Sequence, residues 1–298
     1  MISKKKISYG GWPNCIRLSD GKTEIVATTD VGPRIIRYAR VGGQNVFKEY
    51  AGQMGKTGGK EWRIYGGHRL WHAPEAKPRT YALDNAPIEA VWKNDMLTLT
   101  QPIESTTGIQ KQIEISFATG GEIWLTHRLV NQNHWDVEFA PWCLTVMAQG
   151  GRAIFPQEKF IPHTDHLLPA RPIVLWHYTN MADPRWIWGT KYFQLRQDPK
   201  NSAPQKVGIL NTKGWAAYSL GEDLFIKRYA FDPVARYADH GCNTEAFTNG
   251  DMLEVETLGP LTKLAPGASV EHVEIWTLNK CAVGENEAEI AKKVEPLI

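Results

Sequence analysis

The chain has 298 residues, and its 34 lysines and arginines nearly balance 32 aspartates and glutamates, which leaves a formal charge of +2. Nucleic acid is not an expected partner, because nucleic-acid binding needs clustered positive charge and the one basic block is Lys4–Lys6. The sequence has neither an apolar signal segment near its start nor an apolar run of eighteen residues that could span a membrane. We therefore expect a cytoplasmic protein that binds no membrane, as a monomer or a homodimer.

The residue types that commonly bind metals do not form a strong motif. The four cysteines are far apart and form no Cys-x-x-Cys pair, which favours reduced thiols over a zinc site; they are Cys15, Cys143, Cys242 and Cys281. The segment His163–His166 could offer two imidazoles and a carboxylate to a metal. Short polar loops between prolines, however, commonly carry such residues on the surface. We expect no metal and no cofactor.

Apolar and polar residues alternate along most of the chain, which predicts β-strands. Residues 22–47 form the first such pair of strands, with a Gly-Pro turn between them. Further runs follow and are separated by turn signals rich in Gly, Asn and Asp: 88–103, 108–132, 138–155, 205–231, 252–260 and 269–279. Only residues 285–298 have a helical pattern, with Glu early and Lys later. The sequence predicts one all-β domain over 1–298, a sandwich or superbarrel with a short C-terminal helix.

Aromatic residues are abundant, with twelve tryptophans, ten tyrosines and nine phenylalanines. Many of them must simply fill the core, because a tryptophan buries a large apolar area. An indole ring also offers a flat apolar face and one N–H donor, which suits the C–H face of a sugar ring. Several tryptophans lie in strand-like or loop segments where either role is open: Trp142, Trp176, Trp186 and Trp276.

Residues 65–75, YGGHRLWHAPE, combine a glycine pair with many titratable and planar side chains. These side chains are His68, Arg69, Trp71, His72 and Glu75. Two histidines around an arginine, with Pro74 stopping a regular strand, favour a loop that faces a pocket. If the segment is extended, the two histidines share a face with Leu70, while the arginine and the tryptophan share the other. The sequence does not decide which face is inward.

A group of carboxylates follows near the C-terminal end. Glu254 and Glu256 would point to the same face of a strand, because side chains two residues apart do so. Their neighbours Leu253 and Val255 must pack on the opposite side, which argues against an exposed strand. Glu245 lies on the preceding strand across a hairpin, so it is expected near the same pocket. A carboxylate base with a histidine acid is common equipment for proton transfer at neutral pH.

At these residues the chain resembles the galactose mutarotase-like superfamily, which contains the aldose 1-epimerases. LEVETLGPLTKLAPGASVEHVEIWTL, residues 253–278, is similar to the region where that superfamily has a catalytic glutamate, a proline segment, an L-x-P-G motif and a last strand. The glycine pair resembles a loop of the hexose-6-phosphate epimerases, and TTDVGPRIIRYARVGGQNVF, residues 28–47, resembles the first strands of the fold. GGHRLW, EFAPW and LEVETLGP most resemble a bacterial branch whose domain has no known function. The motifs cover most of the chain in the right order.

The resemblance implies an all-β galactose mutarotase-like supersandwich with a sugar or oligosaccharide ligand on the concave face of its large sheet. By position, Glu256 matches the catalytic base, while Arg69 and His68 match the substrate-holding arginine and first histidine. Trp142 stands where true mutarotases have a histidine acid, so the acid would be His72, His68 or His240. The other substrate-binding residues would be Trp71, Trp142, Glu245, His240 and Glu254. Such an isomerase would open and reclose the sugar ring without a metal or a nucleotide.

Two other functions remain open at this point. The domain could be a non-catalytic carbohydrate-binding module, in which Arg69 and the tryptophans matter and Glu256 has no catalytic role. It could also be a glycoside hydrolase or a polysaccharide lyase, because fold does not decide function. For hydrolysis the separation of the Glu245 and Glu256 carboxylates is diagnostic. A lyase needs an arginine to neutralise a uronate, such as Arg34, Arg37 or Arg69.

Overall fold

The computed structural model describes residues 2–298, and strands make up most of their regular structure, as the alternation predicts. The strands are β1 Ser3–Tyr9, β2 Trp12–Ser19, β3 Thr23–Thr28, β4 Arg34–Arg40, β5 Gly67–Ala73, β6 Glu89–Lys93, β7 Met96–Thr100, β8 Ile109–Phe117, β9 Ile123–Asn131, β10 Val137–Met147, β11 Arg152–Pro156, β12 Ile173–Leu175, β13 Trp186–Trp188, β14 Tyr192–Arg196, β15 Gln205–Ile209, β16 Trp215–Leu220, β17 Asp223–Tyr229, β18 Thr244–Thr248, β19 Leu253–Leu258, β20 Thr262–Leu264 and β21 Ser269–Lys280. One α-helix, α1 Glu287–Lys293, and two 3-10 turns, Arg79–Tyr81 and Glu295–Leu297, complete the fold. The all-β prediction with a short C-terminal helix is confirmed.

The strands form two antiparallel sheets. The eleven-stranded sheet has the order β1-β2-β3-β4-β5-β10-β19-β18-β15-β12, and β20 also pairs with β10. The ten-stranded sheet has the order β13-β14-β11-β16-β17-β21-β9-β8-β7-β6. Strands distant in sequence therefore become neighbours at the centre of the first sheet. Within residues 2–298, no helix is long and apolar enough to cross a membrane.

The main core lies between the two sheets and contains side chains from both of them. The alternation of side chains explains how each sheet supplies one apolar face to this core, because every second residue of a strand points to the same face. In β8 the buried positions are Ile109, Lys111, Ile113 and Ile115. An aromatic cluster of Tyr38, Phe47, Phe225 and Trp276 fills the centre, with ring centroids 5.3 to 6.1 Å apart.

Helix α1 covers part of the outer face of the ten-stranded sheet. Asn286 caps its first turn by accepting hydrogen bonds from the backbone N–H groups of Ala288 and Glu289. Ile290 and Val294 are fully buried against Trp215 and other apolar residues of the sheet. A second, smaller apolar layer therefore exists on this side of the sandwich.

The segment read as a loop at residues 65–75 is mainly a strand, which corrects that prediction. Strand β5 runs to Ala73, and Pro74 follows its end instead of breaking it. Gly66 and Gly67 have φ of 102° and 66°, so an L side chain would be strained at either position. A Cβ on Gly67 would also lie 2.2 Å from the carbonyl oxygen of Ile35. The glycines thus allow β5 to pack directly against β4.

Candidate functional site

The outer face of the eleven-stranded sheet carries a cleft of about 410 Å³. Aromatic side chains form most of its walls: Trp62, Trp71, Tyr81, Trp142, Trp176, Tyr178 and Phe247. Its ionisable side chains are Arg69, Glu75, Lys206 and Glu254. This combination of apolar walls with a few polar groups, at this volume, is typical of small-ligand sites.

Neighbouring strands direct the predicted residues to this face, because directly opposed residues of antiparallel strands point the same way. Arg69 of β5 pairs with Leu144 of β10, and Leu144 pairs with Glu256 of β19. Glu256 in turn pairs with Glu245 of β18. Six predicted residues share the outer face for this reason: Arg69, Trp71, Trp142, Glu245, Glu254 and Glu256.

The ammonium group of Lys206 lies between two carboxyl groups at the floor of the cleft. Its Nζ is 2.8 Å from Oε2 of Glu245 and 3.1 Å from Oε2 of Glu256. The ring centroids of Trp142 and Trp176 lie 4.8 and 4.7 Å from the same nitrogen, which is cation–π geometry. Trp142 also donates a hydrogen bond from Nε1 to Oε2 of Glu256 over 2.8 Å. Glu245 and Glu256 are nearly inaccessible beneath these groups.

One ammonium cannot neutralise two carboxylates, and this imbalance sets their protonation. Burial raises the pKa of Glu245 well above its usual range, and the adjacent Glu256 raises it further against the opposing effect of Lys206. Burial also raises the pKa of Glu256, again opposed by Lys206. Although burial disfavours a charged lysine, the two carboxylates raise the pKa of Lys206 well above its usual value. We infer a charged lysine beside a carboxyl pair that retains a proton.

Arg69 forms the second polar group of the cleft. Its Nη2 lies 3.0 Å from Oε1 of Glu254, and its guanidinium stacks over Trp71 at 4.6 Å and Trp62 at 5.9 Å. The side chain is 3% exposed, yet Nε and Nη1 have no hydrogen-bond partner among the described residues. Buried donors without partners are costly, so these two N–H groups are suited to oxygen atoms of a ligand.

His68 points to the opposite face of β5, into the core between the sheets. Its Nδ1 is 2.8 Å from Oγ1 of Thr145, and its Nε2 is 2.7 Å from Nε2 of His127 on the other sheet. Burial lowers the pKa of His68 well below its usual value, so its imidazole is neutral at pH 7. The prediction that His68 acts with Glu256 on one substrate is therefore corrected: a β-strand presents adjacent positions to opposite faces.

His72 lies on that same inner side and is also fully buried. Its Nδ1 is 2.8 Å from Nη1 of Arg79, and burial lowers its pKa. His72 therefore cannot reach the cleft as an acid either, for the same reason of strand alternation. His240, the third predicted acid, is exposed in the connection between β17 and β18. Ala238 of that connection packs with the aromatic residues of the cleft, so the segment borders the site.

Two sets of buried side chains have the spacing of metal ligands: His68, His127 and Glu274, and Cys143, His272 and Glu274. The ammonium of Lys227, however, already lies 2.9 Å from Oε1 of Glu274. Trp276 donates to the other oxygen of Glu274 over 2.7 Å. A lysine thus fills the cation position, and the residues present do not fit a metal. His163 and His166 are exposed and belong to neither set.

Sequence reasoning missed several residues of the cleft. Lys206 was not predicted, although a lysine inside the apolar run QKVGIL is unusual for a buried strand and could have been a signal. Gly208, on the same face, was also missed. A Cβ on it would lie 2.4 Å from Sγ of Cys242, so glycine is needed there. Loops bring in Trp62, Tyr81 and Tyr178, and no local pattern assigns such loop residues to a site.

Comparison with solved structures identifies the fold. A galactose mutarotase-like protein from Lactobacillus casei superposes with a TM-score of 0.58 at 9% identity, covering 89% of this chain and 100% of that chain. A candidate aldose 1-epimerase from Klebsiella pneumoniae gives 0.58 at 13% identity, with 98% and 85% covered. A galactose mutarotase related enzyme from Lactobacillus acidophilus gives 0.57 at 6% identity, with 90% and 98% covered. No family model and no curated protein sequence matches the chain.

The fold is therefore a galactose mutarotase-like β-sandwich, as the resemblance implied. At these identities the likeness extends to the architecture and not to the activity, because one fold hosts many functions. The function has to be argued from the cleft itself.

Proposed function

We propose that the cleft on the outer face of the eleven-stranded sheet binds a carbohydrate. The observation that carries this proposal is the guanidinium of Arg69, which is buried among indole rings with two unpartnered N–H groups. A pyranose ring has an apolar C–H face for the indoles and hydroxyl oxygens for the arginine. Glu254 and Lys206 add an acceptor and a donor on the same side of the cleft.

The charges of the cleft favour a neutral sugar. Arg69 already pairs with Glu254, and Lys206 pairs with two carboxyl groups. Glu75 adds a further negative charge at the rim. Arg34 and Arg37 are bound to Asp84 and Glu24. Both cations that line the cleft are thus paired with acids, which leaves them no surplus charge for a uronate or a phosphate and argues against a polysaccharide lyase.

Aldose 1-epimerase activity is the second candidate, favoured by the carboxyl pair beneath the cleft. Oε1 of Glu256 has no hydrogen-bond partner among the described residues, but it is buried, so this candidate requires Trp142 or Lys206 to move before the oxygen can accept the proton of the anomeric hydroxyl. The proton that the carboxyl pair retains would pass to the ring oxygen, with Lys206 holding the pair in place. The bond between the anomeric carbon and the ring oxygen would then break to the open aldehyde. Reclosure on the other face would reverse these transfers.

The same geometry argues against two-carboxylate hydrolysis at Glu245 and Glu256. Their Oε2 atoms both lie within 3.1 Å of Nζ of Lys206, so they are closer than the ~6.5 Å lower limit for inversion, although this distance permits the ~5–5.5 Å spacing of a retaining enzyme. The ammonium also occupies the space between the two groups, where a scissile bond would have to lie.

One NMR experiment tests both proposals. Glucose, galactose, glucuronate and glucose 6-phosphate are added to the wild type and to Arg69→Met and Glu256→Gln variants, and binding and anomer exchange are read from the sugar signals. We expect neutral hexoses to bind best and about tenfold more weakly to Arg69→Met, because hydrogen bonds to a charged group are lost. Any accelerated exchange should fall ~10²-fold or more in Glu256→Gln.

Matched controls separate these effects from general damage. Arg128→Met and Glu271→Gln remove the same groups from the ten-stranded sheet, where both side chains are partly or largely exposed. They should change neither binding nor exchange. Binding without faster exchange supports the carbohydrate-binding module and rejects the epimerase. Preferred binding of the charged sugars contradicts the neutral-sugar proposal, and no binding of any sugar rejects both functions.

A further inference from the structure

Glu75 is the carboxylate of the carbohydrate cleft that lacks a cation partner. It is exposed at the mouth, and its Oε1 accepts a hydrogen bond from the hydroxyl of Tyr81. Within residues 2–298 its side chain forms no ion pair. Lys77 follows two residues later, but its ammonium lies over the ring of Tyr81 at 5.4 Å, outside the lining of the cleft. The negative charge of Glu75 is therefore available to a ligand.

The other charges of the cleft cancel one another. Arg69 is paired with Glu254. Lys206 lies between two carboxyl groups that retain a proton, so this cluster is neutral as well. Glu75 thus leaves the cleft with one net negative charge.

Aromatic rings from both sides of the cleft lie near this carboxylate. Tyr81 holds it, and Trp62 packs against Tyr81 with ring centroids 5.3 Å apart. Tyr178 comes from the connection between β12 and β13 and is 43% exposed. Burial raises the pKa of Tyr178 to about 12 against the opposing charge of Lys206, and the nearby charge of Glu75 contributes to this rise. Faces of aromatic rings attract cations, so rings and carboxylate together suit an ammonium group.

We propose that the cleft binds a hexosamine, a sugar that carries a protonated amino group. The ammonium donates to Glu75 and lies against the rings of Tyr81 and Tyr178, while hydroxyl oxygens of the sugar accept from Arg69. The paired cations of the cleft disfavour a negative charge on the sugar but do not oppose a positive one. The preference for neutral over anionic sugars therefore extends to a preference for amino sugars over neutral ones. This inference rests on the proposed function, because it names the class of sugar for the same cleft.

The test compares glucose and galactose with their 2-amino and 2-acetamido derivatives by NMR, at about pH 6, where an amine is protonated. Whichever hexose binds, its amino derivative should bind about fivefold more tightly or better, because a charge-assisted hydrogen bond is added. The acetamido derivative keeps the nitrogen without the charge and should lack this gain. Added salt should reduce the preference, since it screens exposed charges.

Variants assign the preference to Glu75. Glu75→Gln should abolish it, and Glu75→Lys should reverse it, so that glucuronate binds more tightly than glucosamine. Glu89→Gln is the matched control, because it removes an exposed glutamate from β6 of the ten-stranded sheet. This variant should keep the preference of the wild type.

The possible outcomes separate this inference from the proposed function. If a hexose binds but its amino derivative binds no more tightly, the hexosamine inference is overturned and the carbohydrate site stands. An equal gain from the acetamido group, or a preference that survives in Glu75→Gln, overturns the inference in the same way. If neither hexoses nor their derivatives bind, both the inference and the proposed function are rejected.

Discussion

Lys206 is the side chain that pairs with both buried carboxyl groups at the floor of the cleft. It is 5% exposed and provides the only ammonium within 4.0 Å of Glu245 and Glu256 in the described chain. We predict that Lys206→Met lowers the free energy of unfolding by about 3–5 kcal/mol at pH 7, because it leaves buried carboxylate charge uncompensated. Chemical denaturation of both proteins measures this difference.

The same difference should shrink as the pH falls to 5. The folded-state pKa values of Glu245 and Glu256 are raised, so these groups take up protons in the folded variant before they do so in the unfolded chain. Protonation removes the uncompensated charge. Lys280→Met is the control, because that lysine pairs with Glu222 at an exposed site and its loss should cost less than about 0.5 kcal/mol. A Lys206→Met cost below 1 kcal/mol at pH 7 would contradict the assignment.

The residues of the site were predictable where strand alternation alone decides their direction. Glu254 and Glu256 share a face by spacing, and the resemblance singled out Arg69, which the structure places on the same face. The inner or outer direction of His68 was not predictable, because it depends on which face of the sheet meets its partner. The catalytic and binding roles of these residues stay predictions until the NMR experiment is done.

At the scale of elements, β5 is the strand that carries Arg69 and Trp71 to the cleft. Its N-terminal end depends on Gly67, where φ is 66° and a Cβ would lie 2.8 Å from Cα of Ile36. We predict that Gly67→Ala lowers the free energy of unfolding by about 3 kcal/mol, since backbone strain and a backbone clash add. Gly42→Ala has a similar φ of 75° with open space around it, and should cost about 1 kcal/mol. If denaturant unfolding shows the same loss of free energy for both variants, the close packing of β4 on β5 contributes little to stability.

Most strands could be predicted from their period of two, and the C-terminal helix from its charge pattern. Residues 65–75 were misread because their polar residues and Pro74 suggested a loop, and the strands β1, β2 and β12–β14 were not predicted. Arg69 and His72 of that segment are buried instead, because they find partners from distant strands and turns. Sheet order was not predictable either: β5 joins β10, and β10 joins β19, through pairings that no local pattern encodes.

At the scale of the whole molecule, the sandwich contains an unusual polar layer in its core. Four fully or nearly fully buried histidines line the inner faces of the two sheets: His68, His72, His127 and His272. Burial lowers the pKa of all four, and that of His272 to about 3. Lys227 and Glu274 form an ion pair beside three of them.

The lowered pKa values of these histidines predict that the folded protein loses stability as the pH falls. In the unfolded chain they bind protons below about pH 6.5, whereas the folded protein keeps them neutral to lower pH. Their contribution is therefore complete above pH 6.5 and is lost as the pH falls toward the folded-state values. Each histidine can remove up to about 1.4 kcal/mol per pH unit in this window. Denaturant unfolding between pH 7 and pH 5 should show a net loss of stability, because the four histidines outnumber Glu245 and Glu256, whose raised pKa values act in the opposite direction.

Variants can assign this loss to the core. His127→Asn should reduce the slope of stability against pH, because one of the buried histidines no longer takes up a proton on unfolding. His163→Asn removes an exposed histidine and should leave the slope unchanged. A flat profile between pH 7 and pH 5 for the wild type would show that folding does not lower the pKa values of these imidazoles.

The alternation of β5 has a consequence for how this protein can change over evolutionary time. Odd-numbered positions such as Arg69 and Trp71 belong to the cleft, while His68 and His72, at even-numbered positions, are buried on the inner side. Point substitutions can therefore alter the cleft while sparing the inner side. A one-residue insertion or deletion in the strand would instead exchange the two faces and damage the cleft and the core together. We expect lineages of this fold to tolerate substitutions in β5 far better than changes in its length.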